Sequence, residues 1–297
     1  MYPRPFHYHR ATSLKEAASM LAQLGDEAKL LAGGQSLIPL MKLRFAGPKH
    51  LVDLNFVPDI SYIKEDKRSL RLGALTRHAE IEHSTIAAKI PIIHDCAAGI
   101  ADVQVRNRGT IGGSIAEADP SGDWAVVLST LSTSVHCVGK GKKRDIPLNQ
   151  FITDAYTTAL NHDELVSEIS VKFPPRNSGG AYVAFKRAAP VYPTASAAVQ
   201  LTMHGDTCKE VAIALGCVGL IPIRPTEAEA ALRGQRLTQD VINRAAEAAR
   251  IAADPQPDMR GSAEYKRILV ASLLKRAIDV ASRRAKGEQV EAGHIYA

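Results

Sequence analysis

A chain of 297 residues with 45% apolar and 23% charged side chains can bury a sizeable core and lies far from the composition of disordered proteins. Lys and Arg outnumber Asp and Glu by 37 to 31, but the basic residues are scattered and accompany no nucleic-acid module pattern, so nucleic-acid binding is not expected. The length points to two or three domains, and four widely spaced cysteines without a C-x-x-C pair exclude a cysteine-ligated zinc or iron–sulfur site.

The N-terminal residues contain no apolar stretch of signal-peptide or anchor type, and the longest apolar run, residues 211–223, is short and broken by two glycines and a proline. A cytoplasmic chain with no membrane span is expected. Ser13 followed by Glu16 has the form of a capping box, opening a helix that Gly25 stops. AKLLA at 28–32 reads as a buried strand, followed by the glycine turn AGGQS, a short helical segment in SLIPLMKLRF and a strand in HLVDL at 50–54. SYIKEDKRSLRLGAL predicts two strands and a charged turn, and Thr76 is placed to cap a helix through RHAEIEH. A second glycine loop, TIGGS at 110–114, precedes Asp119, Pro120 and Gly122 and a helix opening near Asp123. GKGKKRD at 139–145 reads as a solvated hairpin turn, LVSEISVKF at 165–173 as a strand, and PPRNSGG at 174–180 as a turn-forming break. Strands in AYVAFKR, ASAAVQLTM and EVAIALGCV then precede helices in RPTEAEAALRG, LTQDVINRAAEAARIAA and AEYKRILVASLLKRAIDVASRRA. The expected units are residues 1–58, 59–177 and 178–286, with a tail at 287–297 and no internal repeat.

One glycine pair signals only a tight turn; two such loops, each after apolar residues, can grip one diphosphate from opposite sides. The hydroxyls of Ser36, Thr110 and Ser114 add donors for phosphate oxygens. Neither the G-x-G-x-x-G dinucleotide turn nor the G-x-x-x-x-G-K-[ST] triphosphate loop is present. Asp123 stands ten residues beyond Gly113 and has two readings: a carboxylate that accepts from sugar hydroxyls, or an acid at a helix start. Trp124 reads as packing core, and His78, His83 and His94 as surface or internally satisfied histidines. No metal site is expected.

LAGGQSLIPLMKLR, VRNRGTIGGSIAEADPSGD, GCVGLIPIRPTEAEAAL and EYKRILVASLLKRA, in that order over nearly the whole chain, resemble the FAD-binding medium subunits of the molybdenum hydroxylases, most closely the carbon monoxide dehydrogenase flavoproteins. The resemblance implies an α+β fold: a two-subdomain FAD-binding domain of the vanillyl-alcohol-oxidase (PCMH) type, then a smaller α+β C-terminal domain of the carbon monoxide dehydrogenase flavoprotein type. It implies noncovalent FAD, with Ala32, Gly33, Gly34, Gln35, Ser36 and Leu37 in the first pyrophosphate loop and Thr110, Ile111, Gly112, Gly113 and Ser114 in the second. Asp123 would hold ribityl or ribose hydroxyls, Leu165 or Val166 would touch the flavin through its backbone, and Lys186 and Tyr192 would flank the ring. Three departures stand out: Gln35 where relatives often carry histidine, Ser114 where asparagine is commoner, and APVYP in place of a Gly-Asp-Tyr turn.

The implied function is electron transfer without substrate chemistry, so no catalytic residue is assigned. A small iron–sulfur subunit and a large molybdopterin subunit, arranged as a dimer of heterotrimers, would supply the remaining cofactors. The alternatives are a stand-alone FAD-dependent oxidoreductase and a non-catalytic nucleotide-binding module.

Overall fold

Residues 2–296 are described by the computed structural model. Strand β1 (His7–Arg10), helix α1 (Leu14–Leu24), strand β2 (Ala28–Leu31), helix α2 (Leu37–Leu43) and strand β3 (His50–Asp53) form the first unit, whose sheet runs β1–β3–β2 with both outer strands parallel to β3. The Ser13 hydroxyl accepts from the Glu16 N–H, and Gly25 ends α1 at φ +57°, both as the sequence predicts. Ala17, Ala18 and Leu21 face inward from α1 onto this sheet. Glycine loop one is the link from β2 to α2.

The second unit opens with β4 (Ile63–Glu65) and β5 (Ser69–Gly73), continues through short helices α3 (His78–Glu82), α4 (Pro91–Gly99), α5 (Val103–Arg106), α6 (Ile111–Glu117) and α7 (Asp123–Leu128), and adds β6 (Thr133–Gly139) and β7 (Lys142–Pro147). After α8 (Leu148–Phe151) and the small ribbon β8 (Ile152–Asp154) and β9 (Thr157–Thr158), β10 (Leu165–Lys172) closes an antiparallel sheet ordered β4–β5–β10–β6–β7. Two local readings change. The hairpin turn is only Lys140–Gly141, with Gly141 at φ +75°, and Lys142–Asp145 extend as the charged edge strand β7. A two-residue loop matches the twist of its strands, and lysines on an edge discourage further pairing. The cap of α3 is Arg77, whose N–H donates 2.7 Å to Glu80 Oε2. The Thr76 hydroxyl is already committed to the Tyr62 backbone, donating to its carbonyl at 2.9 Å and accepting from its N–H at 3.1 Å.

Strands β11 (Ser178–Lys186), β12 (Ala195–His204) and β13 (Thr207–Gly216) form the C-terminal antiparallel sheet, covered by α9 (Thr226–Leu232), α10 (Gln239–Ala252) and α11 (Ala263–Ala285). Ser178–Gly180, read as part of a turn, begin β11 because α11 lies directly over them. A Cβ on Gly179 would stand 2.0 Å from the Ala281 carbonyl oxygen. Within the expected tail, β14 (Ile295–Tyr296) pairs in parallel with Phe185 and Lys186 of β11. Just before it, the His294 Nδ1 accepts from the Ala184 N–H at 3.2 Å. No helix of the described residues is long and apolar enough to cross a membrane.

Candidate functional site: a cavity between two glycine loops

Both glycine loops open onto one cavity of about 290 Å³. Ala32–Leu37 form one wall; Gly109, Thr110, Gly113 and Ser114 form another; Gly122 and Asp123 close a third side, and Pro190, Val191 and Tyr192 stand at a fourth. Sequence-distant residues are brought together because β2, α6, α7 and the turn after β11 converge there.

The loops meet backbone to backbone. A Cβ on Gly33 would lie 2.2 Å from the Arg108 carbonyl oxygen and 2.8 Å from the Gly109 Cα, so nothing larger than glycine passes. Of the four paired glycines only Gly34 takes a positive φ, +73°. A polar tie crosses behind the contact. Asn55 donates from Nδ2 to the Ala32 carbonyl at 2.9 Å, while its Oδ1 accepts from Arg77 Nη2 at 2.6 Å. Arg77 Nη1 also donates to the Arg108 carbonyl. One amide and one guanidinium therefore hold the entry to each loop.

The donors of the two loops are used differently. Among the described residues, the N–H groups of Gly33, Gly34, Gln35, Ser36 and Leu37 have no hydrogen-bond acceptor. Successive partnerless N–H groups at a cavity wall form a nest suited to anionic oxygens. In the second loop Ile111 donates to the Thr76 carbonyl at 3.1 Å, Gly112 to Ala74 at 2.9 Å, Ser114 to Thr110 at 3.0 Å, and Gly113 to the Thr110 hydroxyl at 3.2 Å. That loop presents side-chain hydroxyls instead.

Asp123 opens α7 beneath the N-cap Gly122 and is only 6% exposed. Tyr182 donates its hydroxyl 2.6 Å to Asp123 Oδ1, and the Oδ2 oxygen has no partner among the described residues. The Tyr182 bond is the side chain's sole hydrogen bond among the described residues. Burial beside this carboxylate pushes the Tyr182 hydroxyl well above the usual tyrosine range, so it stays a donor. A fixed carboxylate with one free oxygen accepts from a hydroxyl-bearing ligand.

Five predicted site residues do not reach the cavity wall. Ile111 and Gly112 are turned toward the end of β5, where a Cβ on Gly112 would meet Ala74 at 2.6 Å. Leu165 and Val166 are packed into two hydrophobic clusters at the start of β10. Lys186 is fully buried, and its ammonium donates to the carbonyl of Gly99, the last residue of α4, directly before the cavity residues Ile100 and Ala101. Tyr192 does reach the wall, 44% exposed, with the Arg260 guanidinium 5.7 Å from its ring centre. Arg260 also donates to the Pro193 carbonyl at 3.2 Å and the Ser121 hydroxyl at 3.0 Å, pinning the proline-flanked turn against the loop that precedes α7.

Of the wall residues that the sequence reading did not assign to the site, three carry titratable side chains. Glu117 and Asp119 line the acidic end, where burial and then the Asp119 charge push the Glu117 carboxyl upward. The signal was available, since Glu117 lies one helical turn after Gly113 and so shares its face. His78 is the third. It is buried against Trp124, whose Nε1–H donates 3.1 Å to His78 Nδ1, and burial, reinforced by Arg77 and Arg106, lowers its pKa to about 3. No group of three His, Cys, Asp or Glu side chains among the described residues could hold a metal ion.

Residues 4–174 match the family described as the FAD binding domain in molybdopterin dehydrogenase, and residues 180–281 the CO dehydrogenase flavoprotein C-terminal domain. The chain is 39% identical to the carbon monoxide dehydrogenase medium chain of Afipia carboxidovorans, over 96% of this chain and 100% of that one. It is 37% identical to the 6-hydroxypseudooxynicotine dehydrogenase complex subunit alpha of Paenarthrobacter nicotinovorans, over 99% and 100%. Its fold superposes on a chain of the carbon monoxide dehydrogenase of Hydrogenophaga pseudoflava with a TM-score of 0.93 at 39% identity, covering 96% and 99%. Bare backbone N–H groups and a carboxylate with one unpartnered oxygen line this one cavity. The chain belongs to the FAD-binding medium subunits of the molybdenum hydroxylases, alongside the carbon monoxide dehydrogenase flavoproteins.

Proposed function

We propose that this subunit takes electrons from an iron–sulfur partner and passes them to an external acceptor, with residues 1–58 and 59–177 acting as the two halves of the FAD site and residues 178–286 as the supporting domain. When bound, FAD would supply the redox chemistry that links a one-electron donor to a two-electron acceptor. The protein's part is to bind, orient and shield it. Gly33–Leu37 would receive the diphosphate on their free N–H groups, with Ser36, Thr110 and Ser114 adding hydroxyl donors. Asp123 would accept from the sugar or ribityl hydroxyls, and Tyr192 would cover the ring. The observation that carries this reading is the five-residue run of partnerless N–H groups in the cavity that Asp123 also lines.

A small iron–sulfur subunit and a large molybdopterin subunit, paired into a dimer of heterotrimers, would complete the enzyme. The test is purification of the complex from its source organism, followed by acid precipitation. Flavin should pass into the supernatant, iron–sulfur and molybdenum chromophores should accompany two further polypeptides, and the isolated chain should reduce no dye with substrate. Flavin left on the precipitate would overturn noncovalent binding; turnover by the chain alone would favour a stand-alone oxidoreductase.

A further inference from the structure

Tryptophan's indole nitrogen can only donate, so the 3.1 Å contact from Trp124 Nε1 obliges His78 Nδ1 to accept. A neutral imidazole with a bare Nδ1 carries its proton on Nε2. That Nε2–H has no acceptor among the described residues, although His78 is only 5% exposed and lines the cavity. The ring edge lies against Gly109, where a Cβ would come within 2.7 Å of Nε2. Gly109 is also the residue whose Cα abuts Gly33, so this donor sits at the junction of both loops. Nε2 is not one of the fully enclosed side-chain atoms left without a partner, so it opens to the cavity, where an acceptor can reach it.

We propose that His78 is a further binding residue of the cavity, its Nε2–H donating to a diphosphate oxygen of FAD. The assignment rests on the placement of the diphosphate between the loops. Trp124 then acts as a positioning residue, holding the tautomer from the protein side. The low pKa of His78 is consistent with the geometry: the ring stays neutral, and a neutral donor with a fixed proton needs no rearrangement when the anion arrives.

The experiment uses the full chain, stripped of flavin and labelled with nitrogen-15 at histidine, followed by nitrogen–proton correlation NMR during titration with FAD. His78 should show a protonated Nε2 and a bare Nδ1 from pH 5 to 8, and the Nε2–H resonance should move as FAD binds. His78→Phe, which keeps the ring's bulk without the donor, should weaken FAD and ADP by the same factor, about ten- to a hundredfold. Melting temperatures of the ligand-free proteins control for folding, and the titration of the unmodified chain decides the matter even if the variant fails to fold. A proton on Nδ1, an Nε2–H resonance unmoved by bound FAD, or a folded His78→Phe variant with unchanged FAD affinity overturns the role of His78 alone. A wild-type chain that takes up no FAD overturns the placement of the cofactor together with it.

Discussion

In the first glycine loop the N–H groups of five successive residues, Gly33 to Leu37, have no acceptor, whereas in the second those of Ile111, Gly112, Gly113 and Ser114 are all taken. The motifs AGGQS and TIGGS resemble each other, yet one leaves its backbone available and the other spends it on structure. Thr110 caps its own helix, and Ala74 and Thr76 from the end of β5 receive two more N–H groups. The first loop has no such neighbour; its nearest backbone is the Arg108–Gly109 segment, which presents a carbonyl to Gly33. Similar glycine motifs can thus serve opposite ends: one leaves its N–H groups bare for the proposed anion, the other is a fixed post whose hydroxyls line the same cavity.

The largest effect expected from this contrast is at Gly33. Gly33→Val would drive a branched side chain into the Arg108 carbonyl, 2.2 Å from the first added atom, and force the two loops apart. Flavin retention after gel filtration should be abolished. Retention at wild-type occupancy would show that the loops need not touch.

Next comes Asp123, which lines the same cavity as both loops. Asp123→Asn keeps an oxygen for the Tyr182 hydroxyl but removes the charge, so the apoprotein should melt as the wild type does. Fluorescence titration should find FAD affinity lower by about 1.5–3 kcal/mol, the worth of a hydrogen bond to a charged group. Equal affinities in the two proteins would return Asp123 to the role of a helix-start acid.

The smallest and most discriminating pair compares hydroxyls. Thr110→Ala removes the acceptor of the Gly113 N–H and should cost about 1 kcal/mol of stability, as an N-cap does. Ser36 makes no capping bond, so Ser36→Ala should leave the denaturant midpoint unchanged and weaken only FAD. Equal stability losses from both changes would erase the distinction between the loops.

Much of the site was legible in the chain. Paired glycines, neighbouring hydroxyls and Asp123 are local features, and strands β2, β3 and β10 and helices α1 and α11 announce themselves through apolar periodicity and caps. Their order, with the resemblance they carry, sufficed for the family and the cofactor. What sequence could not decide was which polar groups remain free. Whether an N–H in a glycine loop is bare depends on a carbonyl some forty residues away, as with Gly112 and Ala74. The family resemblance implies a ring-side cation at Lys186, but its ammonium is bonded to the Gly99 carbonyl and its strand position is paired with Tyr296. His78 reads in the sequence as a surface or internally satisfied histidine; the fold buries it, gives its Nδ1 the Trp124 N–H and places the residue on the cavity wall. Residue type and spacing determine what each segment can offer; the partners that consume or spare those offers come from distant segments, and only their packing decides between them.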